Sequence, residues 1–291
     1  MAVTRVTQTS MSNAALRGLQ GALGRTQRLQ EQLSSGKRVA RPGDDPSATG
    51  SAMALRSQRR ADEQYLRNID DASGRLALTD DTLVSLSSRI QKIRQLALTA
   101  GNEAISSDGM AAISAEMTAI KSDVVDLYNT RWLGRPVFGG TVAGSVAIDA
   151  AQNYVGDERP VVSRISRDAV LRIDVPGTTA GADTLPDVID QLADDVVNNR
   201  ANLGTDLTAL DGELTKVLRA LGDVGARASR LDSTKAHVDM ERLDFTARIS
   251  ENEDVDLPET IMNLESQKVA YQAALGSAAK VLQVSLLDYL R

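Results

Sequence analysis

Two adjacent carboxylates stand in the stretch RVARPGDDPSATG, residues 38–50. Asp44 and Asp45 could act as a general acid and base, or as oxygen ligands of a divalent cation. Pro46 follows directly, and an aspartate before a helix that begins with proline accepts hydrogen bonds from the first free N–H groups. We therefore interpret the pair as a sharp turn followed by a helix cap.

Few other residues could carry chemistry. His237 is the only histidine and no cysteine is present, which excludes disulfides, thiolate catalysis and Cys-ligated metals. His237 falls beside the helical positions Lys235 and Val238, as is typical of a solvated helix face. The run GRPVFGGTVAG, residues 134–144, lacks the Gly-Lys-Ser/Thr ending of a phosphate loop. We predict no enzyme activity, no catalytic residue, no cofactor and no metal site.

The composition favours long helices over a large globular core, because aromatic residues make up only 3% of the 291 residues. The net charge is −6 and the pI about 5.0, so no basic field is available for nucleic acid or an anionic membrane. No apolar run approaches a membrane span or a signal-peptide core. Composition alone is typical of a cytosolic protein, and a chain without cysteine is equally compatible with export in an unfolded state.

Apolar residues recur at spacings of three and four in five stretches, which is typical of coiled-coil-like packing. The predicted seams are Ala15, Leu19, Ala22, Thr26, Leu29 and Leu33; Leu83, Leu86, Ile90, Ile93, Ala97 and Ala100; Met110, Ile113, Met117, Ile120, Val124 and Leu127; Leu207, Leu210, Leu214, Val217, Leu221, Val224, Ala228 and Leu231; and Leu257, Ile261, Leu264, Lys268, Tyr271, Leu275, Ala278 and Leu282. The pattern predicts a mainly α protein.

The boundaries of these helices carry their own signals. Ser106 can cap a helix, and Asp256 stands three residues before Glu259 in the spacing of a capping box. From Pro46 to about residue 101 the helical pattern is nearly unbroken, which at 1.5 Å per residue predicts a rod of roughly 80 Å.

Residues 134–184 have the sequence pattern of strands instead of the helical spacing seen in the rest of the chain. VFGGTVAGSVAI, RPVVSRIS and AVLRIDVPG are Val/Ile-rich runs with glycine punctuation, which predict short strands in a small β-rich insert. A short helix is expected from Leu185, with Val188, Ile189, Leu192 and Val196 on its apolar side.

The terminal helices have narrow apolar stripes that neither could bury alone, so we expect the N-terminal helix to pair with the C-terminal helix. This predicts three domains in an elongated rod. Residues 1–45 and 250–291 form the terminal helical domain, residues 46–134 and 185–249 a long-helix shaft, and residues 135–184 the β-rich outer domain.

Three segments resemble the bacterial flagellin superfamily. LSSGKRVARPGDDPSA, residues 33–48, resembles its N-terminal signature, and the Pro after Asp-Asp is similar to the hook-associated branch. Residues 251–291, which end in SLLDYLR, are similar to the C-terminus of the hook–filament junction family. NTRWLGRPVFGGT, residues 129–141, resembles that family's entry into the β domain, with Pro136 in place of an aromatic residue and Gly139 in place of Ser or Ala.

The resemblance implies a structural role. The terminal helices would form the inner tube of a flagellum, and the stretch Pro42, Gly43, Asp44, Asp45 and Pro46 would be the turn between the inner tube and the outer shaft. The assembly interface would comprise Leu19, Leu23, Leu29, Leu33, Leu257, Ile261, Leu264, Tyr271, Leu275, Leu282, Leu286 and Leu287.

The resemblance also implies partners and a location. The protein would form an extracellular ring between hook-associated protein 1 and the flagellin filament, exported by the flagellar type III system without a cleaved signal peptide and held beforehand by a cytoplasmic export chaperone. Two alternatives stay open at this point. A short filament flagellin shares the helices and the turn, and a cytosolic coiled-coil scaffold would share the heptads alone.

Overall fold

The computed structural model describes residues 8–102, 104–142 and 144–289. The mainly α prediction is confirmed. The described residues form six α-helices, α1 (Gln8–Ser35), α2 (Pro46–Ala100), α3 (Ser107–Tyr128), α4 (Leu185–Asn198), α5 (Leu203–Glu253) and α6 (Leu257–Tyr289), and four short strands, β1 (Arg131–Trp132), β2 (Arg135–Pro136), β3 (Val162–Arg164) and β4 (Val170–Arg172).

The predicted caps begin three of these helices. The Asp45 carboxylate accepts the N–H of Ala48 at 2.9 Å, and Pro46 is the first residue of α2. The Ser106 hydroxyl accepts the N–H of Gly109 at 3.2 Å. Asp256 likewise accepts the N–H of Glu259 at the start of α6. Each side chain satisfies an N–H that has no partner inside its helix.

Contacts within the chain define two compact units, residues Met1–Arg60 with Leu243–Arg291, and residues Ala61–Arg242. In the first unit α1 packs against α6, as the paired-ends prediction expects. The finer division into three domains, with boundaries near residues 45, 134, 184 and 250, stays a prediction.

In the unit Ala61–Arg242 the α2 seam is buried as predicted, from Leu83 to Ala100. Its side chains belong to one hydrophobic core with α3, α4 and α5. Ion pairs flank this core: Lys92 pairs with Glu116 of α3 at 3.2 Å, and Arg94 pairs with Asp211 of α5 at 2.8 Å. Burial of the apolar seam, at about 25 cal/mol per Å2, is the main stabilising contribution, since exposed ion pairs add little.

The predicted β-rich segment contains less strand than the sequence suggests. Antiparallel β1 and β2 pair across a two-residue turn, and antiparallel β3 and β4 pair Ser163 with Leu171. The run VFGGTVAGSVAI, residues 137–148, is wrong as a strand: its described residues are turns, bends and one β-bridge, Ile148 with Tyr154. Side chains supply the missing hydrogen bonds, because the amide oxygen of Asn129 accepts the N–H groups of Ala147 and Ile148.

Candidate assembly interface of the terminal helices

The two breaks between long helices in the first unit lie side by side. α1 ends at Ser35 and α5 ends at Glu253, and the residues that follow them, Lys37 and Asp254, form an antiparallel β-bridge. The N–H of Arg38 donates to the carbonyl of Glu253 at 2.6 Å, and the N–H of Val255 donates to that of Gly36 at 3.0 Å. We call residues 36–45 and 253–256 the joint. The bridge fixes both breaks in one register.

Charged side chains reinforce the joint. The Glu253 carboxylate, only 6% exposed, lies 2.6 Å from the guanidinium of Arg56 and 3.7 Å from Lys37 Nζ. Lys37 Nζ also lies 2.5 Å from Asp254 Oδ1, and this hydrogen bond lowers the pKa of Asp254 below its ordinary value. A buried carboxylate needs such partners, since its desolvation is costly when it is unpaired.

The predicted turn, Pro42 to Pro46, forms the end of the joint. The N–H of Asp44 donates to the carbonyl of Arg41, while the Asp44 carboxylate accepts the N–H of Arg41 at 2.8 Å. The Asp45 carboxylate caps α2, and the Ala48 N–H is the main cause that lowers the pKa of Asp45. Arg38 also lies 3.3 Å from Asp45. Both carboxylates are therefore occupied by the local backbone, as the cap interpretation requires.

Beyond the joint, α1 and α6 share a narrow apolar contact. Ala22 is buried at the middle of α1, and Leu19, Leu29 and Leu33 are half-buried along the same side. The contact side of α6 carries Thr260, Leu264, Gln267, Tyr271, Ala274 and Ala278, at alternating spacings of four and three. The Nε of Arg25 donates to the Gln267 side chain at 3.1 Å across the pair. The small residues in this stripe bury little apolar area, so the contact is thin.

Part of the predicted α6 seam is covered in the single copy. Leu264 and Tyr271 lie in the contact, whereas Leu257, Ile261 and Leu275 are exposed, and their role in an assembly interface stays a prediction. The predicted seam follows large apolar residues, whereas the contact stripe passes through Thr260 and Ala274. Leu282, Leu286 and Leu287 lie in a stretch of which only the backbone is described.

Further apolar residues are exposed on α1 and α6 outside the predicted seams. Leu23, which was predicted as an assembly residue, is exposed beside Leu16 on one side of α1. Met262 and Val269 are exposed on α6. We call these four residues, together with Leu257, Ile261 and Leu275, the uncovered set. Leu257, Ile261 and Leu275 belong to the predicted seam, whereas the other four fall outside the predicted seams.

Polar chemistry near the joint is internally paired. A hollow of about 400 Å3 lies between α1 and the turn, lined in part by Glu31, Arg41 and Asp45. Arg41 pairs with Glu31 at 3.0 Å.

His237 lies on an exposed helix surface, its Nε2 3.5 Å from Glu241. In the part of the chain that the structure describes, no group of three or more His, Cys, Asp or Glu side chains is arranged to hold a metal ion, and no described helix is long and apolar enough to cross a membrane.

Comparison with known proteins shows the family to which this chain belongs. The family model of the bacterial flagellin N-terminal helical region matches residues 6–141, and that of the C-terminal helical region matches residues 207–290. The chain belongs to the bacterial flagellin superfamily.

Within this superfamily the chain is similar to flagellar hook-associated protein 3 of Salmonella typhimurium, with 24% identity over 313 aligned positions that cover 98% of this chain and 99% of the relative. A flagellin of Halalkalibacterium halodurans is 23% identical over 261 positions, 90% of this chain and 89% of the relative. These relatives are flagellar structural proteins, and the chain shares their helical end regions.

Solved structures share the fold. A flagellar hook-associated protein of Vibrio parahaemolyticus aligns with a TM-score of 0.68 at 19% identity, over 72% of this chain and 100% of that one. FlgL of Bacillus cereus aligns with a TM-score of 0.61 at 21% identity, over 68% of this chain and 99% of that one.

Proposed function

We propose that this protein is the junction adaptor of a bacterial flagellum, a ring of copies between hook-associated protein 1 and the flagellin filament. The observation that carries the proposal is the end-to-end similarity to hook-associated protein 3, which spans nearly the whole of both chains. The shared helical ends support the flagellar class, and the similarity to a hook-associated protein over nearly the whole chain favours a junction role over a filament role.

The terminal helix pair supports a role in assembly. The α1–α6 contact is thin, and the uncovered set leaves seven apolar side chains on the same two helices, including Ile261 and Leu275. Leu257 and Ile261 are exposed one helical turn apart on α6, and neighbouring exposed apolar groups are typical of a surface that binds another protein. In the proposed ring, neighbouring copies cover the uncovered set, so assembly supplies apolar burial that one copy lacks.

The joint would serve the same assembly by holding the terminal helices at a fixed register. Lys37 and Asp254 join the two breaks directly, and Arg56 binds the carboxylate of Glu253 in the same unit. A copy with a loosened joint would present its uncovered set in several arrangements. Ring formation would then cost additional ordering free energy.

The proposal includes export and a chaperone. The protein would leave the cell unfolded through the flagellar type III channel, and a cytoplasmic chaperone would bind the C-terminal amphipathic segment beforehand, because part of its apolar surface is exposed in the single copy. The protein should therefore occur outside cells that have a working flagellar export apparatus and be retained in cells that lack it.

A seeded polymerisation assay tests the junction role. Hook fragments that carry hook-associated protein 1 are mixed with the purified protein, then with flagellin, and viewed by negative-stain microscopy. We expect a short cap that stops by itself and permits flagellin growth. Ile261→Asp places a charge in the uncovered set and should prevent the cap, while Val162→Asp on the exposed side of β3 should not.

The second candidate is a short filament flagellin, which the flagellin relative favours. That protein would grow into long filaments without added flagellin. Such growth would contradict the junction proposal and leave the superfamily assignment intact.

A further inference from the structure

The turn of the β1–β2 hairpin exposes a leucine in a backbone conformation that leucine does not favour. Leu133 has a φ of 48° and is 81% exposed, and Gly134 beside it has a φ of 82°. A left-handed backbone is costly for leucine, and residues held in such conformations are common where a protein binds a partner. Within one copy Leu133 gains little packing to offset this cost. A contact with a second molecule would supply it.

Two arginines stand on either side of this leucine. Arg131 and Arg135 are exposed, and they leave opposite faces of the hairpin because Arg131 pairs with Pro136 whereas Arg135 pairs with Trp132. In the part of the chain that the structure describes, neither arginine takes part in an ion pair. We call residues 131–135 the hairpin tip. It presents one apolar side chain between two unpaired cations.

The exposed side of α4 has the complementary character. Asp187, Asp190 and Asp194 follow one another at spacings of three and four and are all exposed, and α4 contains no basic residue. Asp190 pairs with Lys121 at 2.7 Å, yet half of its side chain stays exposed. Val197, seven residues after Asp190 and therefore on the same side, is 45% exposed. We call this side of α4 the acidic side. It offers carboxylates to arginines and an apolar side chain to a leucine.

We infer that the hairpin tip of one copy docks on the acidic side of α4 in a second copy, with Leu133 against Val197 and the two arginines among the three aspartates. Two different surfaces of the same chain meet in such a contact, and a series of these contacts builds a ring or a helical assembly. Charge complementarity sets the register and speeds the encounter, and burial of the two apolar side chains adds to it. The inference deepens the proposed function and rests on it for the ring alone.

The two surfaces lie too far apart to meet within one copy. Asp71 of α2 accepts a hydrogen bond from the tryptophan of the hairpin at 3.2 Å. Arg89, 18 positions further along α2, pairs with Asp123 of α3, two residues from the Lys121 that binds Asp190. Eighteen residues of helix span about 27 Å, which is longer than an arginine side chain. A second copy shifted along α2 by about this distance would bring the surfaces together.

Disulfide crosslinking of the full chain tests the contact in solution. The chain has no cysteine, so a Leu133→Cys copy and a size-tagged Val197→Cys copy can be mixed with oxidised glutathione. Val84→Cys is the matched control, since Val84 is a helical valine that is 48% exposed outside α4. We expect mixed dimers to form about tenfold faster with Val197→Cys than with Val84→Cys, and high salt to remove most of this difference. Equal rates would overturn the inference.

Charge reversal tests the pairing of the two surfaces. Arg131→Glu with Arg135→Glu in the Leu133→Cys copy should slow the crosslink about tenfold. Asp187→Lys with Asp194→Lys in the Val197→Cys copy should then restore it. Slowing without restoration would overturn the proposed pairing. Binding of heparin by the wild type, together with equal crosslinking at Val197 and Val84, would assign the arginines to an anionic polysaccharide and would also overturn it.

Leu133→Asn separates the contact from folding. Asparagine relieves the strain of the turn, so this variant should be at least as stable as the wild type and yet lose most of its caps on hook fragments. Normal caps from Leu133→Asn would show that the ring does not use the contact. A wild type that forms no cap would contradict the proposed function, whereas the crosslinking rates would still decide whether the tip and the acidic side meet.

Discussion

Lys37 and Asp254 face each other as an antiparallel β-bridge, with Nζ 2.5 Å from Oδ1, although 217 positions separate them in the chain. This pair lies where α1 and α5 end, so two distant sequence segments form one structural feature. The Gly-Lys-Arg stretch after α1 and the Glu-Asp pair at the end of α5 carry opposite charges. The joint follows from that complementarity and from the backbone hydrogen bonds beside it.

Removal of the Glu253 charge should destabilise the joint. Glu253→Gln keeps the shape but weakens the hydrogen bond to Arg56 and the attraction to Lys37. A hydrogen bond to a charged group contributes about 1.5–3 kcal/mol, and the partial exposure of Arg56 reduces this to about 1–2 kcal/mol. Urea unfolding of the variant should show this loss, with reduced protection of the Arg38 and Val255 amides. Glu251→Gln, an exposed neighbour, should change little; equal effects from both substitutions would contradict a specific role.

Acid should weaken the same region. The pKa of Asp45 is lowered chiefly by the Ala48 N–H, and that of Asp254 chiefly by Lys37. Because the folded pKa lies below the unfolded value of about 3.9, their contribution is present above that pH and is lost as the pH falls through the folded pKa. Asp45→Asn can still cap α2 but does not titrate. Urea midpoints measured from neutral pH to strong acid should therefore fall less steeply in Asp45→Asn; parallel curves would refute the role of Asp45.

The α2 seam offers a matched test of burial. Leu86 is fully buried and Leu98 is 54% exposed on the same helix. Leu86→Ala removes buried methyl groups and leaves a cavity, which should cost about 2–5 kcal/mol, while Leu98→Ala should cost less than about 0.5 kcal/mol. Urea or thermal unfolding measures both. A small loss at Leu86 would mean that the seam is not the main stabilising contact.

Sequence reasoning was most successful where the signal is local or strongly periodic. The caps Asp45 and Ser106 could be predicted because an N-cap side chain bonds to the backbone of the helix that follows it. The burial of the α2 seam could be predicted because large apolar side chains recur along its whole length. The sequence predictions were wrong where the local structure depends on contacts between segments that are distant in the chain. Thr260 is buried on the contact side of α6 despite its hydroxyl, and Ala147 and Ile148, at the end of the expected strand, donate to the side chain of Asn129.

The β1–β2 hairpin carries a residue that its turn does not favour. Leu133 and Gly134 both have positive φ, 48° and 82°, and Leu133 is 81% exposed. A two-residue turn with positive φ at both positions prefers Asn-Gly, and leucine costs about 1–2 kcal/mol in this conformation without gaining packing. Leu133→Asn should raise the free energy of unfolding by about 1 kcal/mol, measured by urea unfolding. Leu133→Ala should give a smaller gain, and a destabilised Asn variant would show that Leu133 makes a stabilising contact.

Two glycines inside α2 should respond in opposite ways to alanine. At Gly74 an added Cβ would lie 2.6 Å from Cη2 of Trp132, whereas at Gly50 it would meet nothing within 4 Å. Gly50→Ala should therefore stabilise the protein by about 0.5–1 kcal/mol through helix propensity. Gly74→Ala should displace the ring of Trp132 and break its hydrogen bond to Asp71. Since Trp132 is the only tryptophan, its fluorescence reports this directly, and emission should shift to longer wavelength in Gly74→Ala alone. An unchanged spectrum in that variant would mean that the indole does not pack on Gly74, because a side chain in van der Waals contact cannot accept the extra methyl group without moving.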